Sequence, residues 1–149
     1  MKTTERNHSR QEIVDHAGAR QPTIVFYSPD MDFCVSFRLL LQNQYTMVTI
    51  TDPGMLLMTA RDFMPEVVIV DCLPTEKMKI RFEVLRRENP HVRILSFYAS
   101  RFDDRGGHED LRQSVDAAFS KPLDLAEVTE SIHDLMTQSV GGGDVSSCH

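Results

Sequence analysis

The sequence predicts an α/β fold: one parallel β-sheet with helices on both faces. Three observations predict it. Strand-like and helix-like segments alternate five times between residues 22 and 138. The third strand-like run, Val67-Val68-Ile69-Val70, is β-branched throughout and shows no polar alternation. That is the pattern of a strand buried on both faces inside a parallel sheet. The run stops abruptly at Asp71, and the C-terminal end of such a strand is where open α/β sheets place their chemistry.

The elements follow in order. Residues 23–27 are a short β-rich run, and residues 32–42 carry Phe33, Phe37, Leu40 and Leu41 at helical spacing. Met47-Val48-Thr49-Ile50 is a second strand. Pro53-Gly54 opens a helical stretch with Leu56, Leu57, Ala60 and Phe63. After the strand ending in Asp71, residues 78–88 place Phe82 and Leu85 on a helix that stops before Asn89-Pro90, since proline cannot continue one. Residues 92–97 form the fourth strand and residues 109–114 a short helix. Ala117-Ala118-Phe119 is a weak fifth strand. Residues 124–137 close the domain with Leu125, Val128, Ile132 and Leu135 on one face, and Asp124 and Glu127 have capping-box spacing at its start.

Five β-α units with right-handed crossovers leave few topologies. A flavodoxin-like strand order, 2-1-3-4-5, suits five strands and opens a crevice at the C-terminal ends of strands 1 and 3. Asp71 lies at that crevice. The domain spans residues 22–138. Residues 1–21 read as a flexible extension, and residues 139–149, beginning near Gly141-Gly142-Gly143, as a flexible tail.

Composition excludes several classes. Of 149 residues, 41% are hydrophobic and 26% charged, which suits a single globular domain. No stretch approaches the roughly 18 apolar residues of a membrane span, and the first twenty hold no apolar leader. A cytoplasmic protein is expected. The net charge of −6 argues against nucleic acid as a partner. Lys77, Lys79, Arg81, Arg86 and Arg87 read as a solvated helix face. Three scattered cysteines and six histidines show no metal-ligand spacing.

Taken together, Val68-Ile69-Val70-Asp71, Asn89-Pro90, and Val115-Asp116-Ala117-Ala118-Phe119-Ser120-Lys121-Pro122-Leu123 resemble the receiver domain of two-component response regulators. The resemblance covers residues 22–138. It implies a phosphorelay signalling module rather than an enzyme. Asp71 would be the phosphoryl acceptor, drawing on a phosphohistidine of a sensor kinase or phosphotransfer protein. Lys121 would contact the phosphoryl oxygens as a point charge. Output would be a protein contact, or a homodimer, through the short fourth helix, the fifth strand and the last helix, a face including Leu111, Ala118, Glu127 and Glu130. With a flexible tail after the last helix, the module would stand alone.

The chain departs from the family in four places. Receivers end strand 1 with two acidic residues that hold magnesium; here Ser28-Pro29 stands at those positions, and Asp30 follows one residue late. Asp71 with Asp30 would bind magnesium only weakly. Ser28-Pro29-Asp30 reads as a helix start, with Ser28 as N-cap and Pro29 at the first helical position. At the two switch positions, the family's small hydroxyl residue is replaced by Tyr98 and its aromatic by Ala118. Cys72-Leu73-Pro74 shifts the loop proline and lacks the family's glycine, with Cys72 read as a small buried side chain. These departures favour a version that works without phosphorylation. Two other function classes fit less well. An aspartyl-nucleophile phosphatase or phosphotransferase would carry a second aspartate where Leu73 stands. A flavin or nucleotide carrier would need a glycine-bearing phosphate loop, where Ser28-Pro29-Asp30-Met31-Asp32 is glycine-free and acidic.

Overall fold

The computed structural model describes residues 21–72, 75–99 and 113–148, with side chains of the last helix to Thr137. The N-terminal segment 1–20 and most of the expected helix 109–114, including Leu111, lie outside the described residues.

Five strands form one parallel sheet: β1 (Thr23–Tyr27), β2 (Thr46–Ile50), β3 (Val67–Asp71), β4 (Arg93–Ala99) and β5 (Ala117–Lys121). Their order is β2-β1-β3-β4-β5, as the crossover argument predicts. The helices are α1 (Met31–Leu41), α2 (Leu56–Phe63), α3 (Glu76–Glu88) and α4 (Leu125–Cys148), with a single 3-10 turn at Pro53–Met55. Of the three inner strands, β1 and β3 are buried at every position and β4 at all but its two ends, because helices cover both faces of the sheet.

Period-two alternation along the strands splits the core into two clusters. Ile24 and Phe26, Val67 and Ile69, and Leu95 and Phe97 pack with Cys34, Phe37 and Leu41 of α1 and Val128, Ile132 and Met136 of α4. Val25 and Tyr27, Val68 and Val70, and Ile94 and Tyr98 pack with Leu56 and Ala60 of α2 and Met78, Phe82 and Leu85 of α3. Burying one such side chain contributes about 1.5–3 kcal/mol. On the first face, Phe26, Phe33, Phe37 and Phe97 pack ring against ring, with centroids 4.6–6.1 Å apart. Phe119 joins through Phe97 at 6.2 Å.

Local chemistry sets the helix ends. The N-cap of α1 is Asp30, whose Oδ1 accepts from the amides of Asp32 and Phe33. The expected cap, Ser28, sits two residues earlier and serves another purpose. Thr75 caps α3 by accepting from the Met78 amide, so that helix starts at Glu76 rather than at residue 78. Asp124 accepts from the amides of Ala126 and Glu127 at the start of α4. That helix continues beyond Thr137, where its apolar period stops, through the three glycines to Cys148. At the far edge, Asp116 Oδ2 accepts from the Ile94 amide at 2.8 Å and from Arg86 at 3.3 Å. Arg86 also donates to the Ser114 carbonyl at 2.7 Å. Arg86, one of the five clustered cations, is therefore a tie between α3 and the approach to β5.

Candidate functional site

Three strand ends build the site. Tyr27 pairs with Val70 in the β1–β3 register, so the next residue on each strand, Ser28 and Asp71, meet across the ends. Asp71 also pairs with Phe97 of β4, and Lys121 of β5 pairs with Ala99. Alternation places Ser28, Asp71 and Lys121 on the α1/α4 side of the sheet, each capping a column of apolar residues.

The geometry around Asp71 is closed. Its residue is 6% exposed. Ser28, fully buried, donates from Oγ to Asp71 Oδ2 at 2.7 Å. Lys121 Nζ lies 2.5 Å from Asp71 Oδ1. Oδ1 accepts no aligned hydrogen bond, so the Lys121 contact is an ion pair held by charge and proximity rather than by direction. The ammonium also lies 5.7 Å from the centre of the Phe33 ring, a cation–π distance. The Lys121 side chain remains 42% exposed, so the pair is half-screened by water.

The main chain after Asp71 is anchored as well. Ser96, fully buried on β4, donates from Oγ to the Cys72 carbonyl at 2.8 Å. Burial pushes the Cys72 thiol up to about 11, helped by the adjacent Asp71 charge and opposed by Arg81 and Lys121. Cys72 is therefore a neutral thiol at physiological pH, and it is half-buried rather than the fully buried side chain expected. Tyr27 is also raised, first by burial and then by the neighbouring Cys72 and Asp71.

The structure brings Asp71 and Lys121 into contact but separates the other expected positions from them. Tyr98 is 5% exposed and points to the α2/α3 side, in the cluster against which Ala118 packs. Because Tyr98 pairs with Ser120, Ala118 is its diagonal neighbour on β5. Tyr98 and Ala118 line an open groove of about 350 Å³ with Phe119, Ser120, Pro122, Asp124 and Glu127. Asp30 is exposed, and its Oδ1 is engaged as the cap of α1. Two site residues escaped sequence reasoning. Ser28 fits a local capping rule so well that its long-range role is hidden, and Ser96 lies inside an apolar run. The one signal for Ser28 was positional: it directly follows β1 as Asp71 ends β3.

The donor set fits a divalent cation poorly. Among the described residues, no group of three His, Cys, Asp or Glu side chains could hold one. The Asp71 carboxylate has a hydroxyl on one oxygen and an ammonium on the other. Magnesium is normally held by one or two free carboxylates plus water and phosphate.

No family model matches the sequence, and no curated protein matches it. Solved structures do. The signal receiver domain of a two-component response regulator from Bacteroides fragilis superposes with a TM-score of 0.64 at 19% identity, covering 76% of this chain and 95% of that one. The receiver domain of a LuxO repressor protein from Vibrio parahaemolyticus gives 0.69 at 11% identity, covering 84% and 97%. An adenylate cyclase from Rhodopirellula baltica gives 0.70 at 13% identity, covering 86% and 96%. The chain has the fold of response-regulator receiver domains. Among the described residues, no helix is long and apolar enough to cross a membrane.

Proposed function

We propose that this chain is a receiver-type signalling module that acts by protein contact in the cytoplasm, without turning over a substrate. In this reading Asp71 is the counterpart of the phosphoryl-accepting carboxylate, kept in place but restrained. The observation that carries the reading is that both carboxylate oxygens are already held by the chain's own groups, Ser28 and Lys121. A carboxylate nucleophile must present a free oxygen in line with phosphorus, with the phosphoryl charge neutralised by cations. Here the nearest fixed cation faces the nucleophile itself. A sensor kinase or phosphotransfer protein is the upstream partner class, recognised as a surface. The groove edged by Tyr98, Ala118 and Glu127 is the output surface.

The test is direct. The protein is incubated with acetyl phosphate and magnesium, and intact mass is recorded. The expected result is no phosphoryl adduct while circular dichroism reports an intact fold. An adduct that Asp71→Asn abolishes would overturn the reading and restore phosphoryl transfer as the working chemistry.

A further inference from the structure

We propose that Ser28 stands in for a divalent cation: with Lys121, it balances Asp71 from within the chain and makes the crevice metal-independent. The inference concerns the same crevice as the proposed function and explains how its carboxylate is held.

The partners of Ser28 Oγ fix the direction of its proton. A hydroxyl is both donor and acceptor, and its hydrogen turns to suit its partners. Here the Asp30 amide donates to Ser28 Oγ at 3.0 Å, occupying an acceptor position on that oxygen. Ser28 Oγ in turn donates to Asp71 Oδ2 at 2.7 Å. An ionised carboxylate can only accept, so the proton of this short contact belongs to the hydroxyl. Pro29, between Ser28 and Asp30, has no amide hydrogen. The first donor after Ser28 is therefore the Asp30 amide, which folds back onto Oγ. Backbone dipole, hydroxyl and carboxylate form one polarised chain, and each link strengthens the next.

Charge acts in the same direction. Asp71 and Lys121 sum to zero, and Ser28 adds none. A carboxylate at position 28 would create two like charges in a crevice where Asp71 is 6% exposed. Such a pair needs a cation or a shared proton to persist. The hydroxyl removes that need. A divalent ion would now have to displace a buried hydrogen bond and sit beside an ammonium already 2.5 Å from Oδ1. Both terms oppose its entry.

Manganese chloride is titrated into the 15N-labelled full chain, and paramagnetic broadening of amide resonances is followed. Tm is recorded in parallel against magnesium at constant ionic strength. The wild type is expected to show no saturable broadening at the Ser28 and Asp71 amides and a flat Tm. Ser28→Asp is expected to have a lower Tm without metal, to regain it as magnesium is added, and to broaden at both strand ends at manganese levels at least ~10-fold lower than any wild-type response. Ser28→Ala is expected to lower Tm with no response to metal, separating a lost hydrogen bond from a gained metal site. Saturable broadening in the wild type that Asp71→Asn removes overturns the proposal. A folded Ser28→Asp that ignores metal overturns it too. The wild-type arm decides even if Ser28→Asp fails to fold. The outcomes also separate from the acetyl phosphate test. An adduct on a protein that binds no metal refutes the proposed function alone, and metal binding without an adduct refutes this inference alone.

Discussion

Ser96 on β4 holds the carbonyl of Cys72, the residue that leaves the active end of β3, through a 2.8 Å hydrogen bond. It is a polar side chain in a strand whose interior is otherwise apolar and aromatic, and its hydroxyl fixes where the chain turns after Asp71. Ser96→Ala is expected to cost about 1 kcal/mol, the loss of one part-buried hydrogen bond. Urea unfolding would read the loss. Hydrogen exchange should quicken at Cys72 more than at the middle of β3. Uniform quickening along β3 would mean that Ser96 merely fills space.

The Asp71–Lys121 pair makes an ordering prediction. Lys121→Met leaves a buried carboxylate without its cation, whereas Asp71→Asn removes the charge and keeps an acceptor for Ser28. With Lys121 half-exposed and partly screened, Lys121→Met is expected to cost about 1–2 kcal/mol and Asp71→Asn less. A double-mutant cycle in guanidinium supplies the comparison. The reverse order would place the carboxylate's value in its Ser28 bond rather than in its charge.

The thiol of Cys72 offers a pH signature. Its folded value of about 11 stands above the ordinary 9.0. Burial as the neutral thiol therefore favours folding below about pH 9, and that contribution is lost as pH rises toward about 11. In a Cys34→Ala/Cys148→Ala background, iodoacetamide should modify Cys72 about 100-fold more slowly at pH 8 than it modifies a free peptide thiol, from the smaller thiolate fraction. Modification at the peptide rate would sink the assignment.

Met64 ends α2 in the left-handed region, at φ 46°. A side chain is strained there and glycine is not. The Met64 side chain is exposed, so little packing is at stake. Met64→Gly is expected to raise stability by about 0.5–1 kcal/mol, measured as a shift in the urea midpoint. No shift, or a fall, would refute the strain.

In the aromatic group under α1, Phe97 contacts Phe26, Phe33, Phe37 and Phe119 and is fully buried. Phe97→Ala is expected to cost about 3–5 kcal/mol, whereas Phe97→Leu should keep the fold at a smaller loss. Thermal unfolding of the two variants distinguishes them.

Much of the fold was legible because the sheet is buried on both faces. The continuous apolar runs at β1 and β3 carry their own signature, as does the period of Phe37 and Leu41 in α1; Leu40, read on the same face, is exposed, and Cys34 is buried in its stead. Element ends were less legible. Ala117-Ala118-Phe119 extends to Lys121 because Ser120 and Lys121 pair with Tyr98 and Ala99, and no local pattern announces that pairing. The site was half legible. Asp71 and Lys121 stand out as charges at strand ends. Ser28 does not, because Ser-Pro before an acidic residue satisfies the rules of a helix start, while the helix takes its cap from Asp30. Local rules place a residue within its own segment. The bond from Ser28 to Asp71 spans 43 positions and is set by strand register, which only the assembled sheet defines.

The order in which the chain is made gives the crevice a history. Ser28 and Asp71 leave the ribosome well before Lys121, which sits on the last strand to be synthesised. A chain ending before β5 would carry the Asp71 carboxylate without its Lys121 counter-charge, and closing over it would bury an unbalanced charge. Such a truncation is expected to leave this end of the sheet wet and accessible to proteases.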